Sequence, residues 1–318
     1  MDHPVIERFK ALDQRFVERA KRGDRLTARF AALTCLNARL SPSDIVDRSF
    51  EARDALNHAL GNWRAPSRSM RLVFAAALVS AERNVENFLE ARAALQERRR
   101  TRGSRSLSHG GACAALALVA AGGQPHQADQ FYDTLNAIAG PWWRRDAHRE
   151  EVVAGALTGM GDMPDEAVGR LIEARQALRD AHIPPSAADP AAYELALQAE
   201  MRSGDVASAW ITLNTAVRGR SALKHGIGRT GLAILSAEGD GQRAADALVR
   251  SFEALREIRP RVSSDVAARI ALRLAQAQLG RQPSLGPASD LAAIISAQMA
   301  MIAAVTAASS ATVVAVAS

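Results

Sequence analysis

His109 and Cys113 are four residues apart, a spacing that puts two metal ligands on one face of a helix. A protein metal site needs three or four ligands. The remaining histidines are scattered through the chain, and the only other cysteine is Cys35. No metal and no other cofactor is therefore expected. Both cysteines lie in apolar helical stretches, so they are expected as buried free thiols.

Arginine is the other chemical resource. The segment "ERRRTRGSRS" carries Arg98, Arg99, Arg100, Arg102 and Arg105, and "PWWRR" carries Trp142, Trp143, Arg144 and Arg145. The first is expected as a connection between helices. Solvated, it needs no partner. Facing phosphates, it would make binding fall steeply with salt. Tryptophan beside arginine is a frequent composition of protein contact hot spots, and it is also an ordinary way to pack helices. Three further arginines, Arg53, Arg92 and Arg175, recur at equal places in a repeated motif. An arginine on an otherwise apolar stripe lays its stem along the core and keeps its head outside. It is expected to pack between repeats, with a row facing an anionic partner as the second account.

The carboxylates Asp162, Asp165 and Glu166 are the acid–base candidates if the chain were an enzyme with its site at the mouth of a closed helical ring. The chain contains no Gly-rich phosphate loop ending in Lys-Ser/Thr, no dinucleotide fingerprint after a strand, and no nucleophile elbow.

The elements that position these residues are helices. Hydrophobic residues make up 48% of the 318, but aromatics only 4%. Ala and Leu dominate, and both favour helix over strand. The net charge is +6, with 40 basic residues of which only Lys10, Lys21 and Lys224 are lysines, interleaved with 34 acids. Mixed charge of this kind is an ordinary solvated exterior. The segment "MDHPVIERFK" has no signal-peptide core, and a cytoplasmic location is expected.

A repeat organises the helices. "EARDAL" at Glu51, "EARAAL" at Glu90 and "EARQAL" at Glu173 share a register with segments marked by Asp133, Ile211 and Glu253. A second series, beginning at Ala32, Ala77, Ala117, Ala156, Ala196, Ala233 and Ala271, stays in phase with the first. Both keep a period of about forty residues, within the range of helical-repeat architectures. Each period predicts a helical hairpin. The first helix ends at Gly- or Asp-rich turns such as "GGQP" and "EGDG", and the second ends near "GRS", "HIPP" or "IRPR".

In the second helix an apolar stripe is expected at Val46, Ser49, Phe50 and Leu56, at Val85, Phe88, Leu89 and Leu95, and at Val168, Leu171, Ile172 and Leu178. The position before Arg53, Arg92 and Arg175 is small in every repeat (Ala52, Ala91, Thr134, Ala174, Thr212, Ala254), which lets helices approach closely.

The expected fold is all-α: a right-handed, solenoid-like stack of about six hairpins, with a closed α/α toroid as the alternative. Residues 1–285 form the repeat domain, with a leading helix over 3–21 and repeats from about 25 to 282. Residues 286–318 form an Ala-rich helix and tail. The uncharged run Leu291–Ala317 is long enough to span a bilayer, but its Ala, Ser and Thr content drives insertion weakly. Packing on the last repeat is preferred to membrane contact.

From "SMRLVFAAALVSAERNVENFLEARAAL" through "EAVGRLIEARQALRDAHIPP" to the Ala-rich close, the chain resembles domain of unknown function 4003, a bacterial family. The resemblance brings no activity and no site residues. A non-enzymatic scaffold that binds a protein partner is the leading expectation. An RNA- or DNA-binding array using the arginines is second, and an enzyme in a toroid is third.

Overall fold

The computed structural model describes residues 3–61, 66–140, 146–198 and 204–280. Among them the chain is all-helical, without strands. The helices are α1 (Pro4–Arg19), α2 (Arg25–Thr34), α3 (Pro42–Leu60), α4 (Arg71–Ser80), α5 (Val85–Arg102), α6 (Ala112–Ala120) and α7 (Ala128–Ile138). They continue as α8 (Ala147–Met160), α9 (Pro164–Asp180), α10 (Pro185–Leu195), α11 (Val206–Ala216), α12 (Gly226–Ser236), α13 (Gly241–Glu257) and α14 (Ser264–Gln278).

Local chemistry sets many of these limits. Ser41 accepts from the Asp44 N–H at 3.2 Å, and Pro42 occupies the first turn of α3, where its missing N–H costs nothing. Asn84 and Asn87 close a reciprocal capping box on α5. Asp146 and Asp240 cap α8 and α13 through the N–H groups of Arg149 and Arg243. Gly103 ends α5 in the left-handed conformation, which costs glycine least.

The two marker series fall on alternate helices. Glu51, Glu90, Asp133, Glu173, Ile211 and Glu253 lie on the odd-numbered helices from α3 to α13. Ala32, Ala77, Ala117, Ala156, Ala233 and Ala271 lie on even-numbered helices, and Ala196 closes α10. Burial follows the same alternation. Every residue of α6 and all of α4 from Arg71 to Val79 are buried, whereas α5 and α13 bury one face and present charge on the other.

Each even-numbered helix packs on the next, from α2 to α14, and each odd-numbered helix packs on the next from α1 to α13 at least through α11·α13. Between α6 and α8 the backbones nearly touch. A Cβ on Gly155 would lie 2.5 Å from the Ala114 carbonyl oxygen, and one on Gly159 would lie 2.4 Å from that of Leu118. The last described helix also meets the first ones: α14 packs on both α1 and α2. Lys10 of α1 lies 2.6 Å from Glu257 of α13, and Arg29 of α2 donates to the Pro260 carbonyl at 2.6 Å. Half-buried Arg273 of α14 reaches buried Glu194 of α10 at 2.7 Å.

The expected stripe needs one correction. Ile172 is 59% exposed, because α9 buries Ala167, Leu171, Ala174 and Leu178 instead. The small alanines take the core-facing positions, Val168 stays partly buried against the core, and Ile172 turns outward. The Ala-rich segment 286–318 lies outside the described residues, and no described helix is long and apolar enough to cross a membrane.

Candidate functional site

The repeated arginines are engaged within the chain. Arg53 lies 4.5 Å over the Phe50 ring and pairs with Asp54 at 2.7 Å. Arg92 donates to the Gly110 carbonyl at 3.3 Å. Arg175 lies 5.2 Å over Tyr193 of the next helix and donates to its hydroxyl at 3.2 Å. All three are half-buried, their stems covering apolar surface.

The run expected as a connection is mostly helix. Arg98, Arg99, Arg100 and Arg102 form the last turns of α5, where the helix dipole favours cations. Arg98 and Arg102 share Asp129 at 2.5 and 2.8 Å, and Arg100 faces Glu97 at 3.6 Å. Arg99 is exposed. Trp142, Trp143, Arg144 and Arg145 lie outside the described residues.

Other polar groups hold connections in place. The buried Glu150 carboxylate accepts from both terminal nitrogens of Arg105 at 3.2 Å and from the Gly140 N–H at 3.0 Å. Glu151 beside it accepts from the Ser108 N–H at 2.9 Å and from its hydroxyl at 3.1 Å. Burial pushes the Glu151 carboxyl up despite those donors.

Asp162 pairs with Arg170 at 3.2 Å, and burial pushes its carboxyl up as well. Glu166 accepts from the Met163 N–H at 2.8 Å, and Asp165 sits in the first turn of α9. Both Cys35 and Cys113 are buried free thiols, and burial pushes them up. His109 does not share a helix face with Cys113: it takes a left-handed conformation, φ 49°, ahead of α6. Among the described residues no three His, Cys, Asp or Glu side chains gather to hold a metal.

A cavity of about 540 Å³ opens between the α11–α12 connection, α13 and the start of α14. Its volume falls in the range of small-molecule sites. Arg220, Arg256 and Arg261 line it together with the hydroxyl residues Ser221 and Ser264. Phe252, Leu255, Val262, Ala267 and Ala268 supply an apolar wall. The Arg220 guanidinium lies 3.8 Å from the Phe252 ring centroid, a close cation–π contact. Among the described residues none of the three arginines has a carboxylate partner, and no acidic residue lines the cavity.

The elements place these arginines for separate reasons. Arg220 follows α11 in a turn closed by its own N–H to the Val217 carbonyl at 2.8 Å. Arg261 follows Pro260, which stops the chain from extending α13. Arg256 is in the last turn of α13, again the cation-favouring end.

Apolar side chains are also exposed on the odd-numbered helices of this half of the chain. Among the described residues the exposed large apolar side chains are Met163, Ile172, Ile211 and Val249, at 57, 59, 66 and 39%. Ile172, Ile211 and Val249 belong to successive odd-numbered helices. Val249, Phe252 and Arg256 share one face of α13, at i, i+3 and i+7, so the apolar surface runs toward the cavity.

No family model matches the chain, and neither a curated protein nor a solved structure is similar to it. The resemblance to domain of unknown function 4003 gains no support from these comparisons.

Arg220, Arg256 and Arg261 escape a search for motifs. "GRS" and "IRPR" read as helix stops, and a stop is ordinarily punctuation. Their signal is periodic: Arg220 and Arg261 are about one period apart, and stacked repeats bring equivalent connections side by side.

Proposed function

We propose that the chain is a non-enzymatic helical-repeat protein whose hairpins close into an α/α ring and bind a protein partner across the outer faces of α9, α11 and α13. The solenoid-like stack and the ring differ at one place, the meeting of last helix with first. The packing of α14 on α1 and α2, with the Lys10–Glu257 and Arg29–Pro260 contacts, supports the ring.

Binding of a protein rests on one observation: the exposed large apolar side chains gather on one stretch, from Met163 to Val249. Single exposed apolar residues are normal on any surface, whereas a run of them over adjacent helices characterises contact sites. The partner surface is accordingly apolar. Arg98, Arg100 and Arg102 are already engaged by Asp129 and Glu97 within the chain, which weakens the nucleic-acid alternative.

The test is retention of proteins from a cell extract on the immobilised chain, compared with an Ile172→Asp/Ile211→Asp variant of unchanged melting temperature. The expected result is a protein retained by the wild type and lost by the variant. Retention of nucleic acid alone, or of the same proteins by both chains, contradicts the proposal.

A further inference from the structure

We infer that the cavity lined by Arg220, Arg256 and Arg261 binds a small phosphate monoester carried on a flat aromatic body. The cavity adjoins the protein-binding surface on α13, but neither Ile172 nor Ile211, whose substitution tests that surface, lines it.

Three arginines share one cavity, and among the described residues no carboxylate lines it. Elsewhere in the chain half-buried arginines meet an acid or a carbonyl, as at Arg98, Arg105, Arg170 and Arg273. Like charges held together repel, and an anion entering between them removes that repulsion and gains charge-assisted hydrogen bonds. A carboxylate brings one charge and two oxygens, enough for one guanidinium fork. A phosphate monoester brings nearly two charges and three terminal oxygens, which suits several planar forks at once. The Ser221 and Ser264 hydroxyls add donors of the kind phosphate oxygens accept.

The rest of the cavity determines what carries the phosphate. At about 540 Å³ the space far exceeds a bare phosphate, and its inner wall is Phe252, Leu255, Val262, Ala267 and Ala268. Of these, Phe252, Leu255 and Ala268 are buried in the core and fixed by it. The Arg220 guanidinium carbon already lies 3.8 Å from the Phe252 ring centroid, and a guanidinium plane can also stack on a second ring. A planar aromatic body fills this wall while its phosphate reaches Arg256 and Arg261, which are exposed at the mouth.

The experiment is calorimetric titration of the full chain with phenyl phosphate, benzoate and inorganic phosphate. Phenyl phosphate is expected to bind about tenfold tighter than either of the others and to weaken as salt rises. Arg220→Gln/Arg261→Gln is expected to lower that affinity by about tenfold or more. Should that variant unfold, Arg256→Gln at the exposed position provides the same comparison, with an expected loss of about threefold or more. Absence of binding by phenyl phosphate overturns the inference. Equal binding of benzoate removes the phosphate, equal binding of inorganic phosphate removes the aromatic body, and unchanged binding by the variants removes the location. A failed protein-retention experiment leaves the titration unaffected, so the two proposals fall separately.

Discussion

Phe50 in α3 and Phe252 in α13 hold the same place in the period, each one residue before its marker. Each lies beneath an arginine delivered from the end of the preceding odd-numbered helix: Arg19 at 4.7 Å in the first case, Arg220 at 3.8 Å in the second. The surrounding charges differ. Arg19 pairs with Asp47, and Arg53, also over Phe50, pairs with Asp54. The positions equivalent to Asp47 and Asp54 in α13 are Val249 and Arg256.

One end of the helix series therefore balances its arginines internally, whereas the other replaces one acid with an apolar residue and one with a third cation. The aromatic–arginine contact is a packing device common to both ends. What distinguishes them is whether the neutralising acid is supplied by the chain or left to a ligand.

The comparison can be broken most severely within the C-terminal half itself. Arg273 is buried against Glu194, with side-chain exposures of 10% and 4%. Glu194→Ala strands that cation in the interior and is expected to cost about 3–5 kcal/mol in chemical denaturation. A loss below about 1 kcal/mol would mean that the pair is wetter than its burial indicates.

Transplanting the acids of the first end into the second is the next largest test. Val249→Asp with Arg256→Asp restores the pattern of α3, and phenyl phosphate affinity is expected to fall by about tenfold or more. Titration of the double variant with undiminished affinity would separate charge balance from binding.

The smallest effect is on stability at the cavity. Among the described residues Arg261 has no carboxylate partner, and it lines the cavity with two other cations. Arg261→Ala should leave the denaturation midpoint within about 0.5 kcal/mol or raise it. A clear loss in the same denaturation measurement would reveal a structural partner for that guanidinium.

Much of the scaffold is legible in the residues. Ala and Leu content, the two in-phase marker series and the Gly, Asp and Pro stops point to alternating helices paired in hairpins, whereas the complete burial of α4 and α6 is seen only in the packing. The exposed Ile172 shows where periodicity falls short. A stripe of large residues looks like a core face, but Ala167 and Ala174 bury more completely because small side chains let backbones close in. The Arg98–Arg102 run looks like loop because charge is usually solvated, yet a helix end accommodates it. The cavity arginines were hidden for a different reason. Their importance comes from sharing one cavity in which no described acid takes part, and that is visible only once α11, α13 and α14 are placed together.

The most direct measurement is a crystal structure of the full chain grown with phenyl phosphate. The phosphate is expected among Arg220, Arg256 and Arg261 with the phenyl ring against Phe252, and no ligand is expected at Arg19, where Asp47 already neutralises the charge. Ligand at both aromatic–arginine sites, or at neither, would contradict the assignment.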